Sequence, residues 1–238
     1  MCMFKSMLLL KDKVFCPNYD SHEDMINETG MEHGPMRENF VRVEITPPYD
    51  DLTVPIDKWE YKVDQDYLPE WYVEEVDKPR CFDALKAWAV KHILVGQDVP
   101  EVKQGEFVVL VNCNTGIVKG TVQKVWGGTV QKVWGGGTVQ EVWDGGTVQK
   151  VWGGTVQKVW GGTVQEVWGG TVQEVRGGTV QKVWGGGTVQ KVRGGTVQKV
   201  LGGGTVQKQT GGIVIYADGC ISVCNKNFYR LITPEEMK

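Results

Sequence analysis

From residue 121 to residue 210 the chain contains no histidine, no cysteine and no serine. That absence removes nucleophilic triads and thiolate or imidazole metal centres from more than a third of the protein. The whole chain has three histidines, His22, His33 and His92. No P-loop, dinucleotide fingerprint or Ser-His-Asp set occurs anywhere. Long apolar runs are missing too. Met7-Leu8-Leu9-Leu10, followed by Lys11-Asp12-Lys13, is too short for a secretory segment or a membrane span. With no targeting signal to read, the expected location is cytoplasmic or virion-associated. The six cysteines, Cys2, Cys16, Cys81, Cys113, Cys220 and Cys224, have no disulfide-framework spacing, so reduced thiols are expected. Net charge is small at −3, with residues 121–210 carrying +6 and the remainder −9. Spread over ninety residues and diluted by glutamate, that basic excess falls far short of a nucleic-acid footprint.

What is present is a repeat. The unit Thr-Val-Gln-Lys-Val-Trp-Gly-Gly opens at Thr121, Thr129, Thr138, Thr147, Thr155, Thr163, Thr171, Thr179, Thr188, Thr196 and Thr205, eleven copies at steps of eight or nine residues. Glycine at a fixed period punctuates structure rather than dissolving it. An antiparallel meander joined by Gly-Gly turns would mix polar and apolar side chains on both faces, and the nine-residue steps would disturb its register. A parallel β-solenoid avoids both problems. If Val122 and Val125, and their equivalents, point inward around a kink at Gln123-Lys124, each coil has a dry valine layer with Thr, Gln and Lys outside. The additional glycines of Gly135-Gly136-Gly137, Gly185-Gly186-Gly187 and Gly202-Gly203-Gly204, and the inserted Asp144, then only lengthen turns.

The fourth place of the unit hints at the coil size. In order it reads Lys124, Lys132, Glu141, Lys150, Lys158, Glu166, Glu174, Lys182, Lys191, Lys199, Lys208. Stacking units two apart gives every Glu two Lys neighbours, as cross-strand charge pairing prefers. Adjacent stacking, or stacking three apart, would pair two glutamates. Two units per coil is therefore the favoured reading and makes about five and a half coils, with a three-unit coil still open.

The flanks read differently. Residues 1–112 are expected to form a small α+β domain. It would hold a strand over 6–16 interrupted at Lys11-Asp12-Lys13, a short helix capped by Ser21 and ended by Gly30, Gly34 and Pro35, and alternating strands over 39–45 and 58–63. An acidic, aromatic loop covers 64–78, a helix runs from Pro79 to Gly96, and a strand over 106–112 leads into the array. The array is bounded at 113–227, the N-terminal domain is expected to cover one end, and degenerate units over 212–227 the other. Residues 228–238 read as a tail, with Thr233-Pro234-Glu235-Glu236 spelling a helix start.

Candidate chemistry centres on the sixth place. Trp126, Trp134, Trp143, Trp152, Trp160, Trp168 and Trp184 occupy it, replaced later by Arg176, Arg193, Leu201 and Thr210. Exposed, these rings form a ladder suited to sugar rings or another protein; packed beside the turns, they are core corners. Both readings stand. The threonine column is a strand former rather than a paired ice-binding array, and no Asp column exists to ligate calcium. Cys220 and Cys224 would need further ligands, such as Cys113 or Cys81, to hold zinc, and read as ordinary thiols. His22-Glu23-Asp24 fits a helix start, where acids are favoured. No catalytic residue, cofactor or metal ligand is identified.

The stretches Cys16-Pro17-Asn18-Tyr19-Asp20-Ser21-His22-Glu23-Asp24-Met25, Lys58-Trp59-Glu60-Tyr61-Lys62-Val63-Asp64-Gln65-Asp66 and Leu68-Pro69-Glu70-Trp71-Tyr72, followed by the Thr-Val-x-x-Val units, resemble a group of uncharacterised bacterial and phage-associated octapeptide-repeat proteins. The resemblance implies a bacterial or prophage origin and an N-terminal domain joined to such arrays, and no functional residue. The expected function is a non-enzymatic structural or interaction scaffold. A glycan-binding protein using the Trp ladder is the alternative, and a polysaccharide-acting enzyme ranks third. Partners would be another protein or a glycan, or copies of the chain meeting at rod ends or the Trp face.

Overall fold

The computed structural model describes residues 5–31, 39–225 and 228–236. The chain divides into two compact units, Met1–His92 and Ile93–Lys238. The expected boundary near residue 112 therefore moves about twenty residues upstream, because residues 93–118 pair with the array.

In the first unit, β1 (Lys5–Leu10) and β2 (Val14–Phe15) form a hairpin closed by a hydrogen bond from Leu10 N–H to Lys13 O of 2.8 Å. Lys11-Asp12-Lys13 thus turns the chain where a single interrupted strand was expected. Helix α1 (His22–Thr29) starts at Ser21, whose hydroxyl accepts from Asp24 N–H, and stops at left-handed Gly30; Gly34 and Pro35 lie outside the described residues. Strands β3 (Phe40–Thr46) and β4 (Glu60–Val63) complete an antiparallel sheet of order β2-β1-β3-β4. Helix α2 (Glu74–His92) begins five residues before Pro79. Asp77 makes that earlier start possible: its carboxylate accepts from Val73 N–H at 2.9 Å and from Arg80 at 2.5 Å. Pro79 forfeits only one intrahelical bond, close to the helix start. One face of this sheet packs Leu8, Leu10 and Phe40 against Met25 and Ile26 of α1, and Met7, Leu9, Val43, Ile45 and Leu85 have no exposed surface.

The second unit is the parallel β-solenoid. Its strands are β5 (Ile93–Val95), β6 (Asp98–Val102), β7 (Phe107–Val118), β8 (Thr121–Trp134), β9 (Thr138–Val142), β10 (Thr147–Trp152), β11 (Thr155–Val159), β12 (Thr163–Trp168), β13 (Thr171–Val175), β14 (Thr179–Val183), β15 (Thr188–Val192), β16 (Thr196–Val200), β17 (Thr205–Gln209), β18 (Gly212–Tyr216), β19 (Ile221–Asn225) and β20 (Phe228–Ile232). Each unit pairs with the unit two places on, so the rungs form two stacks. The first runs β8, β9, β11, β13, β15, β17 and the second β8, β10, β12, β14, β16, β18, the long β8 serving both. Strand β7 also spans both stacks and carries β5 and β6 on its far side. The solenoid accordingly has about eight coils, more than the eleven units alone supply.

The valines show why this packing wins. Second and fifth places of one strand would face opposite sides if alternation were unbroken. Pairing between rungs matches Thr, Val, Lys and Val but skips Gln, as in Thr147, Val148, Lys150 and Val151 on Thr163, Val164, Glu166 and Val167. The break at Gln resets the alternation, and both valines of each unit from Val122 to Val192 are 0–1% exposed, as is Val197. Nine-residue units close with one additional hydrogen bond from the last Gly N–H to the sixth-place carbonyl, 2.8 Å for Gly137 to Trp134 and 2.9 Å for Gly146 to Trp143. The insertions are absorbed as turns outside the valine core.

The C-terminal end departs from the expected run of capping repeats. Strand β18 is the last parallel rung, while β19 and β20 turn back antiparallel. Residues 228–232 are thus strand rather than tail. Thr233 and Glu236 exchange hydrogen bonds in a turn over 234–236, where a helix start was expected. Gln209 replaces the inward valine of the last unit. Its amide donates to Gly212 O at 2.9 Å and Ser222 O at 3.1 Å and accepts from the Ser222 hydroxyl at 2.5 Å. A polar clasp with every group bonded thereby replaces a valine that would have faced the open end of the core.

Candidate functional site

Two units per coil split the sixth-place tryptophans between the two stacks. Trp126, Trp143 and Trp160 belong to the first, continued by Arg176 and Arg193; Trp134, Trp152, Trp168 and Trp184 belong to the second, continued by Leu201. The single ladder of the sequence reading is two shorter ones. Because equivalent residues recur at the interstrand distance, six of the seven rings stack as three pairs along the coil axis. Centroids lie 6.1 Å apart for Trp134 and Trp152, 5.6 Å for Trp143 and Trp160, and 4.7 Å for Trp168 and Trp184, at interplanar angles of 15–24°.

The surroundings of the stacks differ. In the first, Trp143 donates to Glu141 at 2.9 Å and Trp160 to the same carboxylate at 3.4 Å, and all three rings are half-buried. Arg176 lies over Trp160 at 4.5 Å and Lys124 over Trp143 at 5.1 Å. In the second, Trp134, Trp152 and Trp168 are 43%, 50% and 36% exposed, with Lys132 set against the first two at 4.8 and 5.0 Å. Trp168 donates to Glu166 at 3.1 Å. Trp184 has Lys rather than Glu two residues earlier, and its buried indole N–H finds no acceptor.

The fourth-place charges pair as the spacing predicts. Glu141 lies between Lys124 and Lys158, Glu166 between Lys150 and Lys182, and Glu174 between Lys158 and Lys191. Four of these contacts are ion pairs of 3.8–3.9 Å. Glu174 also meets Arg176 at 2.7 Å and Arg193 closer still. An open groove of ≈ 440 Å³ follows the Gln-Lys corner of the first stack, lined by Gln157, Gln173, Gln190 and Gln207 beside Lys158, Glu174, Lys191 and Lys208.

The array brings no catalytic constellation together among the described residues. Cys220 and Cys224 are half-buried and unpaired, and no group of three metal-type ligands includes them among the described residues. Cys81 is buried, and burial pushes its thiol up to about 12. His92 packs against Trp88 with centroids 5.0 Å apart; His33 lies outside the described residues. One cluster escaped the sequence reading: His22, Glu44 and Asp64, from α1, β3 and the residue after β4, bring their ligand atoms within 4.8 Å of one another. Twenty-odd residues separate each from the next, so no local motif marks them. The signal available was pairing of the two alternating strands, which sets Glu44 opposite Lys62, two residues before Asp64.

No helix among the described residues is long and apolar enough to cross a membrane. Known protein families, curated proteins and solved structures contain no match to this chain.

Proposed function

We propose that the protein is a non-enzymatic scaffold whose solenoid presents a repeating outer surface to another protein. The observation that supports this reading is where the outward side chains spend their interactions. Six of the seven Trp rings lie on a neighbouring Trp, Lys124, Lys150, Lys158, Lys182, Arg176 and Arg193 lie on Glu, and the indole N–H groups of Trp143, Trp160 and Trp168 lie on Glu. Groups so engaged reinforce the stack and leave no convergent acid, base or nucleophile. Sugar platforms need ring faces turned to solvent, whereas here six of the seven rings are stacked face to face in pairs.

The exposed rings of the second stack support a second reading, glycan binding through Trp134, Trp152 and Trp168. A glycan array probed with the intact chain, and with each of these three changed to Ala, separates the two. The scaffold reading expects no saturable glycan binding by the parent. Binding that is saturable and falls at least tenfold in the variants overturns it in favour of the ladder. Release of reducing sugar from a polysaccharide panel would overturn both.

A further inference from the structure

We propose that His22, Glu44 and Asp64 form a binding site for a first-row divalent cation such as zinc. Three separate elements deliver the ligands to one end of the first unit's sheet: the first residue of α1, the middle of β3 and the residue after β4. Their nitrogen and oxygen atoms lie within 4.8 Å of one another. One neutral nitrogen donor and two carboxylates are a donor set that zinc accepts, with water completing the shell.

The histidine supplies the independent observation. Its Nε2 lies 3.3 Å from the carbonyl oxygen of Val43. A carbonyl can only accept, so Nε2 carries the hydrogen. The other nitrogen, Nδ1, faces Asp64 Oδ2 at 3.7 Å. In that tautomer the Nδ1 lone pair is turned towards the carboxylates, the orientation a metal-binding imidazole needs. Anchoring the remote ring nitrogen on a backbone carbonyl is also how metal-bound histidines are oriented.

Lys62 now fills part of that role. Its ammonium sits 3.9 Å from Glu44 and 3.8 Å from Asp64, on a side chain 65% exposed that can swing into solvent. Zinc–ligand distances of about 2.1 Å place tetrahedral donors roughly 3.4 Å apart. The most widely spaced pair must therefore close by up to about 1.4 Å, from 4.8 Å to about 3.4 Å, which rotation of the partly exposed Glu44 and Asp64 side chains supplies. A bound divalent ion balances the two carboxylates, and the lysine becomes a competitor rather than a ligand.

The test is titration of the full chain with zinc, followed by heat, and with cobalt, followed by visible absorption. One ion per chain is expected, with cobalt bands of a nitrogen and oxygen shell. His22→Gln and Asp64→Asn should each weaken binding at least tenfold. Asp64 is 45% exposed on its side chain, so its variant reports even if the helix-borne His22→Gln misfolds. Lys62→Gln should tighten binding several-fold by removing the competing charge. Absence of binding in both the parent and Lys62→Gln would show that the cluster is an ion pair alone. Binding that survives Asp64→Asn, or cobalt bands of thiolate charge transfer, would place the ion on cysteines and overturn the proposal.

Discussion

A Trp side chain on this solenoid is worth what its indole N–H meets. Trp143 gives that hydrogen to Glu141, whereas the N–H of Trp184 is buried with no acceptor. Phenylalanine keeps the stacking and removes the donor. Trp143→Phe should therefore cost about 1–2 kcal/mol more than Trp184→Phe in urea unfolding, since hydrogen bonds to charged groups stabilise and orphaned donors do not. Glycines divide in the same way. A Cβ on Gly178 would stand 2.3 Å from Gly162 O and 2.6 Å from Val159 Cγ1 of the rung beneath, while one on Gly135 meets nothing within 4 Å. Gly178→Ala should lower stability by more than about 2 kcal/mol, and Gly135→Ala should leave it unchanged or raise it by roughly 0.5 kcal/mol. In the first unit, burial raises the Cys81 thiol from 9.0 to about 12 and the Cys16 thiol to about 11. The fold keeps both protonated. Their contribution is complete below pH 9, where unfolded thiols are protonated too, and is lost as pH rises from about 9 towards about 12. Stability measured against pH should fall across that window, and Cys81→Ala should flatten the slope.

Strand by strand, the fourth-place charges test the pairing of rungs. Lys158 sits between Glu141 and Glu174, and Lys208 lies beside Lys191. Lys158→Glu would line up three carboxylates and should destabilise by roughly 1–2 kcal/mol at low ionic strength, shrinking with added salt. Lys208→Glu relieves a like-charge contact and should stabilise by a few tenths of a kcal/mol. Any other coil size predicts a different pair of outcomes. At this scale the sequence was readable wherever a strand repeats: the valine pairs, the kink at Gln and the turn insertions all follow from period and polarity. It was less readable at 93–118, where coils shorten, the Thr-Val-Gln signature disappears and only pairing with β8 identifies the rungs. Helix α2 likewise started earlier than its Pro suggested, because the Asp77 carboxylate bonds across the first turn.

For the solenoid as a whole, the coil of two units makes parity the property that matters. Deleting residues 188–204 removes β15 and β16 together, leaves Glu174 above Lys208, and keeps β18 in its own stack. One cooperative transition should survive, with Tm within about 5 °C, since a stack loses one set of nearest-neighbour terms. Deleting residues 196–204 alone sends β17 and β18 to the opposite stacks. The Gln209 and Ser222 clasp is then built on the wrong side, and calorimetry should show a much larger drop or a broadened transition. What the sequence by itself determined is the solenoid and its valine core, because both follow from chemistry repeated at a fixed period; the Lys-Glu column favoured two units per coil, and the pairing of rungs decided it over three. What only the tertiary structure decided is where that period had faded or never existed. It showed eight coils instead of five and a half, two Trp stacks differing in exposure, the Gln209 clasp, and the convergence of His22, Glu44 and Asp64. These depend on distances between residues far apart in the chain, and a local pattern carries no information about distance.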